Sequence, residues 1–272
     1  MKLFESAARL ILRFKSVHKT QLVTQPVQTV CFFSNTALGD TIFNTPVFRV
    51  FRQNFPHVRT VALLNPSTAP LFKTDPNIDE ILLYDGKKGG FLRALSRLKK
   101  IKPDAVFILH SNEPEATPLA VLSGVKYVFK LPNAGSKFSP FHSNAPEPYG
   151  DERYVVLNRL EQLKFIGVES CDTRLNLYLE ACDFTRVDEM LKGYGARKFI
   201  GFQMGASTVS RQWFLQRWQE LAEIILERTD AVIVLTGSPA ERAMTAQLED
   251  VLKSPRVINA AGKFSLREAA AL

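Results

Sequence analysis

The chain has few of the side chains that build disulfide frameworks and metal centres. Its 272 residues include three cysteines and four histidines. Cys31, Cys171 and Cys182 are odd in number and far apart, without a C-x-x-C pair, so neither a disulfide framework nor a zinc site is indicated. The scattered histidines offer no metal-ligand spacing. We therefore expect a reducing compartment and no bound metal or other cofactor.

Further absences exclude other classes of protein. No apolar run approaches the roughly 20 residues that a membrane-spanning helix needs. The basic residues are not interleaved with aromatic residues on a recognisable motif, so no nucleic-acid partner is expected. No D-x-D motif occurs, although carboxylates in that arrangement can hold a divalent ion on a diphosphate. Any diphosphate chemistry would therefore depend on basic side chains and helix dipoles.

Positive charge is concentrated at the amino terminus. The chain carries a formal net charge of +8, and residues 1–28 hold five basic residues against Glu5 alone. Apolar residues lie between these charges at helical spacing, which is typical of an amphipathic helix on an anionic membrane surface. A helix packed on its own domain is one alternative. A targeting peptide is another, although Arg9 and Arg13 interrupt the apolar region that a secretory signal needs.

Strand and helix patterns alternate along the rest of the chain, which predicts an α/β fold with parallel sheets. A first domain is predicted over residues 29–180, with a long loop at 132–150. Its strands are expected at 29–33, 61–64, 78–84, 105–109, 125–131 and 175–179, and its helices at 41–55, 90–100, 114–122 and 154–165.

A second domain is predicted over residues 181–272. Its strands are expected at 199–203, 231–235 and 256–259, and its helices at 184–192, 217–229, 239–252 and 265–272. The sequence ends inside the last helix without a capping or terminating residue. We interpret the second domain as incomplete, and a naturally short domain is the alternative.

The run Ala37-Leu38-Gly39-Asp40-Thr41 places a carboxylate just beyond the first strand, at the edge where open α/β sheets bind ligands. Asp40 is a candidate general base that takes a proton from a hydroxyl nucleophile. The structural alternative is that it caps a helix beginning at Thr41. Gly39 is expected to supply a tight turn beside the carboxylate. Thr41 either contacts an acceptor or takes part in capping.

A second polar cluster follows the strand at 199–203. Ser207, Thr208 and Arg211 precede a helix, where backbone amides and a guanidinium can hold a diphosphate. A surface loop with a solvated arginine is the alternative. Glu241 begins a later helix, where a carboxylate can accept both ribose hydroxyls or can interact with the helix dipole. A base in one half and an anion clamp in the other indicate group transfer from an activated, phosphate-bearing donor.

Four segments occur in an order that is typical of one enzyme family. They are Ala37 to Arg49 with Asn54-Phe55-Pro56, Gly205-Ala206-Ser207 with Arg211-Gln212-Trp213 and Trp218, Leu235 to Glu241, and Asn259 to Glu268. Together they resemble glycosyltransferase family 9, the heptosyltransferases. The resemblance implies a GT-B-like architecture of two Rossmann-like domains facing across a cleft, with the acceptor on the first and ADP-heptose on the second.

The resemblance also implies a function. Such enzymes add a heptose-like sugar to the lipopolysaccharide core or a related glycolipid in bacteria. With no D-x-D motif, an inverting, metal-independent transfer is expected, by a protein that is cytoplasmic or peripheral on the inner face of the cytoplasmic membrane. A non-catalytic basic module that binds a membrane surface or nucleic acid is the alternative class.

The chain departs from the family pattern at three points. Arg211 stands where the family usually has lysine, although an arginine fork also binds phosphate. Phe214 stands where proline is usual, and the family's later acidic loop would lie beyond Leu272. Because that loop normally contacts the donor, we expect this 272-residue chain to bind ADP weakly and to transfer no sugar.

Overall fold

The computed structural model describes residues 2–148 and 154–272, and the chain divides into two compact units, 1–178 and 179–272. Each unit is built around its own parallel sheet, with helices between successive strands. The α/β fold class with parallel sheets is therefore confirmed. Within the described ranges, no helix is long and apolar enough to cross a bilayer.

The first unit contains a five-stranded sheet. Its strands are β1 (Thr29–Ser34), β2 (Arg59–Leu64), β3 (Glu80–Leu83), β4 (Ala105–His110) and β5 (Tyr127–Lys130), in the order β3-β2-β1-β4-β5. The order reverses at β1, so β1 and β4 are neighbours although two strands separate them in sequence. A register shift after Phe33 pairs Ser34 with His110 at the carboxyl ends. Open α/β sheets bind their ligands at such a switch point.

Helices cover both faces of this sheet. They are α1 (Lys2–Leu12), α2 (Leu38–Ile42), α3 (Thr45–Asn54), α4 (Lys88–Ile101), α5 (Ala116–Leu122) and α6 (Val155–Leu160). On the face covered by α3 and α6, buried phenylalanine rings pack with centroids 4.7 to 5.6 Å apart: Phe32, Phe48, Phe51, Phe107, Phe129 and Phe165. Burial of each ring contributes about 1.5–3 kcal/mol, so this layer holds β1 and β4 firmly together.

The second unit contains a three-stranded parallel sheet in the order β6-β7-β8. Its strands are β6 (Phe199–Gln203), β7 (Val232–Thr236) and β8 (Val257–Asn259), and its helices are α7 (Ala181–Leu191), α8 (Leu215–Arg228), α9 (Arg242–Leu252) and α10 (Leu266–Ala271). An ion pair of 2.6 Å between Arg267 and Asp183 joins α10 to α7. Ser265 and Glu268 form a capping box that starts α10.

The predicted helix at 41–55 is divided into α2 and α3. The N-cap residue of α2 is Ala37, so Asp40 lies in the first turn of that helix and does not cap a helix beginning at Thr41. The break follows from Asn44 and Pro46, which restart the helix as α3 with proline near its first position. The short α2 therefore carries Asp40 as a separate element just after β1.

The predicted strand at 175–179 is wrong. No strand forms there, and the polar groups of residues 172–178 bond to side chains of the first unit. Arg49, which is only 7% exposed, donates to the carbonyl of Arg174 at 2.6 Å and pairs with Asp172 at 3.0 Å. The hydroxyl of Thr45 accepts from the backbone N–H of Asn176 at 3.2 Å. The sequence alternates between apolar and polar residues as a strand would. However, side chains of α3 form hydrogen bonds with backbone groups of this segment that a neighbouring strand would otherwise bind.

The predicted loop at 132–150 has neither a strand nor an α-helix in its described part, 132–148. It is nevertheless packed. The hydroxyl of Ser143 accepts from the N–H of Val128 at 3.0 Å, and the side chain of Asn144 bonds both backbone groups of Lys130. These contacts bind the segment along β5.

Candidate active site

Asp40 lies beyond the carboxyl end of β1, with its side chain 29% exposed. Its Oδ1 accepts a hydrogen bond of 3.0 Å from Nη2 of Arg159. Nη1 of the same guanidinium donates to the backbone carbonyl of Asp40 and, at 3.0 Å, to Oδ1 of Asn44. One arginine therefore holds both the carboxylate and the backbone of α2.

Sequence reasoning did not identify Arg159. Its side chain is 4% exposed on α6, which begins after the undescribed residues 149–153. A signal was available, because Val156, Leu160 and Leu163 repeat at the spacing of a buried helical face and Arg159 lies within that face. A buried charge needs a partner, but the sequence does not show that the partner is Asp40.

His110 brings a third group to Asp40 from the end of β4. Its Nε2 lies 3.5 Å from Oδ1 of Asp40, and its Nδ1 is hydrogen-bonded to the hydroxyl of Thr36. Burial lowers the pKa of His110; the Asp40 charge opposes this, and Arg159 and Lys130 add to it. The imidazole is therefore neutral at pH 7. A proton on Nε2, with Thr36 donating to Nδ1, directs the ring N–H toward the carboxylate.

The two oxygens of Asp40 differ in their surroundings. Oδ1 faces both Arg159 and His110, whereas Oδ2 has no hydrogen-bond partner among residues 2–148 and 154–272. The carboxylate is thus fixed in orientation through one oxygen and has the other available for a proton. That is the arrangement a general base requires.

Gly39 does not play the backbone role expected of it. Its φ lies outside the left-handed region that favours glycine, and a Cβ built there would meet no atom within 4 Å. The fold would therefore accept alanine at this position. The space around the Cα atom of Gly39 is open. A small residue at this position is therefore better explained by room for a substrate than by the need for a tight turn.

Thr41 is fully buried and serves the fold. Its hydroxyl lies 3.2 Å from the carbonyl of Ala37 and 3.3 Å from Ser34, inside the α2 turn. In this conformation Thr41 has no surface with which to contact an acceptor. Glu113, another carboxylate near a strand end, pairs with Lys130 at 2.9 Å and binds Thr117, so it is structural as well.

The predicted phosphate-binding residues lie together in the second unit, between β6 and α8. Ser207, Thr208 and Arg211 are exposed, and a 3.1 Å bond from the N–H of Arg211 to the carbonyl of Thr208 closes a 3₁₀ turn. Over the described part of the chain, the Arg211 guanidinium has no partner. The first turn of α8 has no side-chain cap and no acidic residue, so the amides of Leu215 and Gln216 are available to an anion, whereas those of Arg217 and Trp218 donate to the carbonyl of Phe214.

Glu241 lies beside the start of this loop. Its Oε2 accepts from the N–H of Ser238 at 2.6 Å in a capping box, and its Oε1 is 3.4 Å from Nε2 of Gln203. The carboxylate sits directly on Gly205, where a Cβ would be 1.3 Å from Oε1. Glycine at 205 is therefore what allows the two donor-side segments to meet. The observed role of Glu241 is capping, and its contact with a ribose stays a prediction.

One group of possible metal ligands is found in the described residues. Glu180, Cys182 and Asp183 have ligand atoms within 4.8 Å of one another. Arg267 donates two short hydrogen bonds to Asp183, which also accepts from the N–H of Glu180. These carboxylates are accounted for by the capping of α7 and the link to α10, and nothing connects them with the predicted site.

Comparison with known proteins gives the same family as the motifs. Residues 146–272 match the model of glycosyltransferase family 9 (heptosyltransferase). The chain is 21% identical over 253 residues to a lipopolysaccharide heptosyltransferase 3 of Escherichia coli, covering 86% of this chain and 72% of that protein. The match to the family model contains the donor-side segments, whereas Asp40 lies in the part reached by the longer alignments.

Solved structures agree on the fold. A glycosyltransferase family 9 protein of Veillonella parvula has a TM-score of 0.79 at 22% identity, with 92% of this chain and 74% of that one covered. The E. coli ADP-heptose lipopolysaccharide heptosyltransferase II has a TM-score of 0.74 at 15% identity, with 90% and 76% covered. The resemblance to glycosyltransferase family 9 is confirmed, and the protein is a transferase enzyme.

Proposed function

We propose that this glycosyltransferase moves a heptose-like sugar from ADP-heptose to a lipopolysaccharide core or a related glycolipid. The main support is the geometry of Asp40. Arg159 orients its carboxylate through Oδ1, and Oδ2 has no hydrogen-bond partner among the described residues. The donor and acceptor classes are supported by the names of the E. coli relatives, one an ADP-heptose heptosyltransferase and both acting on lipopolysaccharide.

The reaction proceeds by in-line displacement with inversion. A hydroxyl oxygen of the acceptor attacks the anomeric carbon of the donor, and its proton passes to Oδ2 of Asp40. The bond between that carbon and the phosphate oxygen breaks, and the nucleoside diphosphate leaves with the electron pair. Neutral His110 and cationic Arg159 keep the carboxylate in position without competing for the proton at Oδ2.

The leaving diphosphate is stabilised by positive charge from the protein and not by a metal ion. Arg211 supplies a guanidinium, and Ser207 and Thr208 supply hydroxyls and amides beside the uncapped start of α8. Glu241 accepts the ribose hydroxyls through the carboxylate oxygen that faces Gly205. The enzyme works in the cytoplasm at the inner face of the membrane that presents its glycolipid acceptor.

The proposal is tested with an enzyme that carries this sequence and a complete second domain, offered ADP-heptose, other ADP-sugars and UDP-sugars together with heptose-deficient lipopolysaccharide. Mass spectrometry should show the addition of one heptose from ADP-heptose alone, with or without a chelator, and nuclear magnetic resonance should show an inverted anomeric centre. Transfer from a different nucleotide sugar would contradict the donor assignment. Loss of transfer on chelation would contradict the metal-independent mechanism.

A further inference from the structure

From residue 5 onward, helix α1 and the turn after it carry two apolar faces, one buried in the fold and one exposed. Ala8 and Leu12 are 5% and 0% exposed and pack against the first unit. Leu10, Ile11 and Phe14 are 57%, 48% and 83% exposed. A helix that served only to cover its own domain would have polar residues at these positions.

The buried face has a clear structural purpose. The helix α5 is apolar over nearly its whole length, and residues 116–121 are buried although it lies outside the sheet. Leu12 of α1 belongs to the same core cluster as Leu119 and Val121 of α5, and the two helices are in contact. Glu5 pairs with Lys137 at 3.2 Å and holds the start of α1 in place. The packing alternative for this segment is therefore present, but it does not involve the exposed face.

The exposed face has the geometry of a continuous stripe. Ala7, Leu10, Ile11 and Phe14 are all exposed and follow the i, i+3, i+4, i+7 spacing of one helical side. A bond of 3.1 Å from the N–H of Phe14 to the carbonyl of Ile11 closes a turn directly after α1. The stripe therefore ends in its largest and most exposed side chain.

Basic side chains that form no ion pair with the described residues lie beside this stripe. Arg9, Arg13 and Lys15 are exposed, and none of their side chains has a hydrogen-bond or ion-pair partner in the ranges that the structure describes. The acidic residue of the segment, Glu5, is already paired. An apolar stripe bordered by basic side chains matches the boundary of an anionic bilayer, where acyl chains lie just below phosphate groups.

We propose that the stripe Ala7, Leu10, Ile11 and Phe14 docks on an anionic phospholipid surface, with Arg9, Arg13 and Lys15 against the headgroups. The helix lies parallel to the bilayer and remains attached to the first unit through its buried residues Ala8 and Leu12. The inference rests on the proposed function in one respect, namely that a glycolipid acceptor is presented by a membrane. It specifies which side chains enter the lipid and which keep the helix on the protein.

The test is sedimentation of the full chain with vesicles of phosphatidylcholine alone or mixed with phosphatidylglycerol. The triple variant Leu10→Ser, Ile11→Ser, Phe14→Ser should bind the mixed vesicles at least about tenfold more weakly, because three inserted side chains are removed. Arg9→Gln, Arg13→Gln, Lys15→Gln should lose roughly a hundredfold, since each basic residue near such a surface contributes about fivefold. Neither variant should change the melting temperature, because the altered side chains are exposed.

Matched controls come from the second unit. Ile224→Ser with Val251→Ser removes exposed apolar side chains, and Arg197→Gln, Lys198→Gln, Arg228→Gln removes exposed charge. Both should sediment as the parent protein does. Equal vesicle binding by the α1 variants and the parent protein would overturn the proposal. A dimer of the parent protein without lipid that becomes monomeric in the serine variant would also overturn it, because a second copy of the chain would then cover the stripe. Vesicle binding needs no sugar transfer, so its failure is distinguishable from failure of the proposed function.

Discussion

The two units hold their functional groups in different ways. In the first, Asp40 is locked by the buried Arg159, which also binds Asn44, and His110 lies alongside. In the second, Ser207, Thr208 and Arg211 project into solvent with little to restrain their side chains. A group that accepts a proton must be positioned before the reaction, whereas a clamp for a flexible diphosphate can be ordered by its ligand. We therefore expect a preformed base in the first unit and an anion site in the second unit that its ligand orders.

The largest effect is expected from Asp40→Asn. The amide keeps the shape of the side chain but removes the base, so in an enzyme with a complete second domain kcat should fall by a factor on the order of 10²–10⁴. The melting temperature should change little, since Oδ1 can still accept from Arg159. Asp85→Asn, an exposed carboxylate on the same unit, is the matched control and should retain full activity. Near-normal kcat in Asp40→Asn would remove the catalytic assignment.

Acid should affect the first unit more than the second. Burial lowers the pKa of His142 to about 3, whereas an unfolded histidine titrates near about 6.5. Between those pH values the unfolded chain binds a proton that the folded chain does not bind, so stability is lost as pH falls, by up to about 5 kcal/mol. The second unit contains no histidine.

Both tryptophans, Trp213 and Trp218, lie in the second unit, so their fluorescence reports on that unit while circular dichroism reports on the whole chain. On acidification the dichroism should report unfolding at a lower denaturant concentration than the fluorescence does. His142→Gln should flatten the pH dependence, and His57→Gln, at an exposed site, should not. An unchanged slope in His142→Gln would show that other groups control acid stability.

Replacing the two arginines should separate structural from ligand-dependent roles. Arg159→Ala leaves the Asp40 carboxylate and Asn44 without their buried partner and should cost about 3 kcal/mol of unfolding free energy. Arg211→Ala should change stability by less than about 0.5 kcal/mol, yet weaken ADP binding about tenfold at low salt. That loss should shrink as salt rises. Denaturant unfolding and calorimetry measure the two effects, and equal ADP affinity at low salt would make Arg211 a solvated surface charge.

The smallest effect tests the one donor-side residue that is anchored. Gly205→Ala puts a Cβ 1.3 Å from Oε1 of Glu241, so that side chain must move and give up its bond to Ser238. Loss of such a cap costs about 1 kcal/mol, and donor affinity should fall with it. Gly201→Ala, where a Cβ would meet nothing within 4 Å, should leave both unchanged. Identical melting curves for the two variants would mean that Glu241 adapts freely.

Local patterns were sufficient to predict much of this organisation. The alternation of strand and helix identified both sheets, and the turn after β1 directed attention to Asp40 because a strand end is a property of neighbouring residues. Arg159 and His110 could not be assigned in the same way. They reach Asp40 from α6 and β4 only because the sheet order reverses at β1, and that reversal depends on packing between residues distant in sequence.

The errors have the same origin. The alternation of apolar and polar residues at 175–179 fits a strand. However, the side chains of Arg49 and Thr45 bind the backbone of residues 174 and 176, and no neighbouring strand pairs with it. Thr41 stands next to the candidate base in sequence but points inward, because the turn of α2 directs its hydroxyl to Ala37. The local sequence was sufficient to predict that the motif around Asp40 follows β1. The direction of each side chain in that motif depends on tertiary contacts.

Arg49 binds the segment that follows residue 171, and these contacts determine where the chain can be cut to give a stable first unit. Anyone who expresses the first unit by itself would find a natural stopping point at Gly167, where the last turn of the unit ends. A protein that stopped there would lose Asp172, Arg174 and Asn176, and the Arg49 guanidinium would be left buried without acceptors. A stable fragment should instead extend through Tyr178, whose backbone and ring hydroxyl are bound by Thr74 and Asn77.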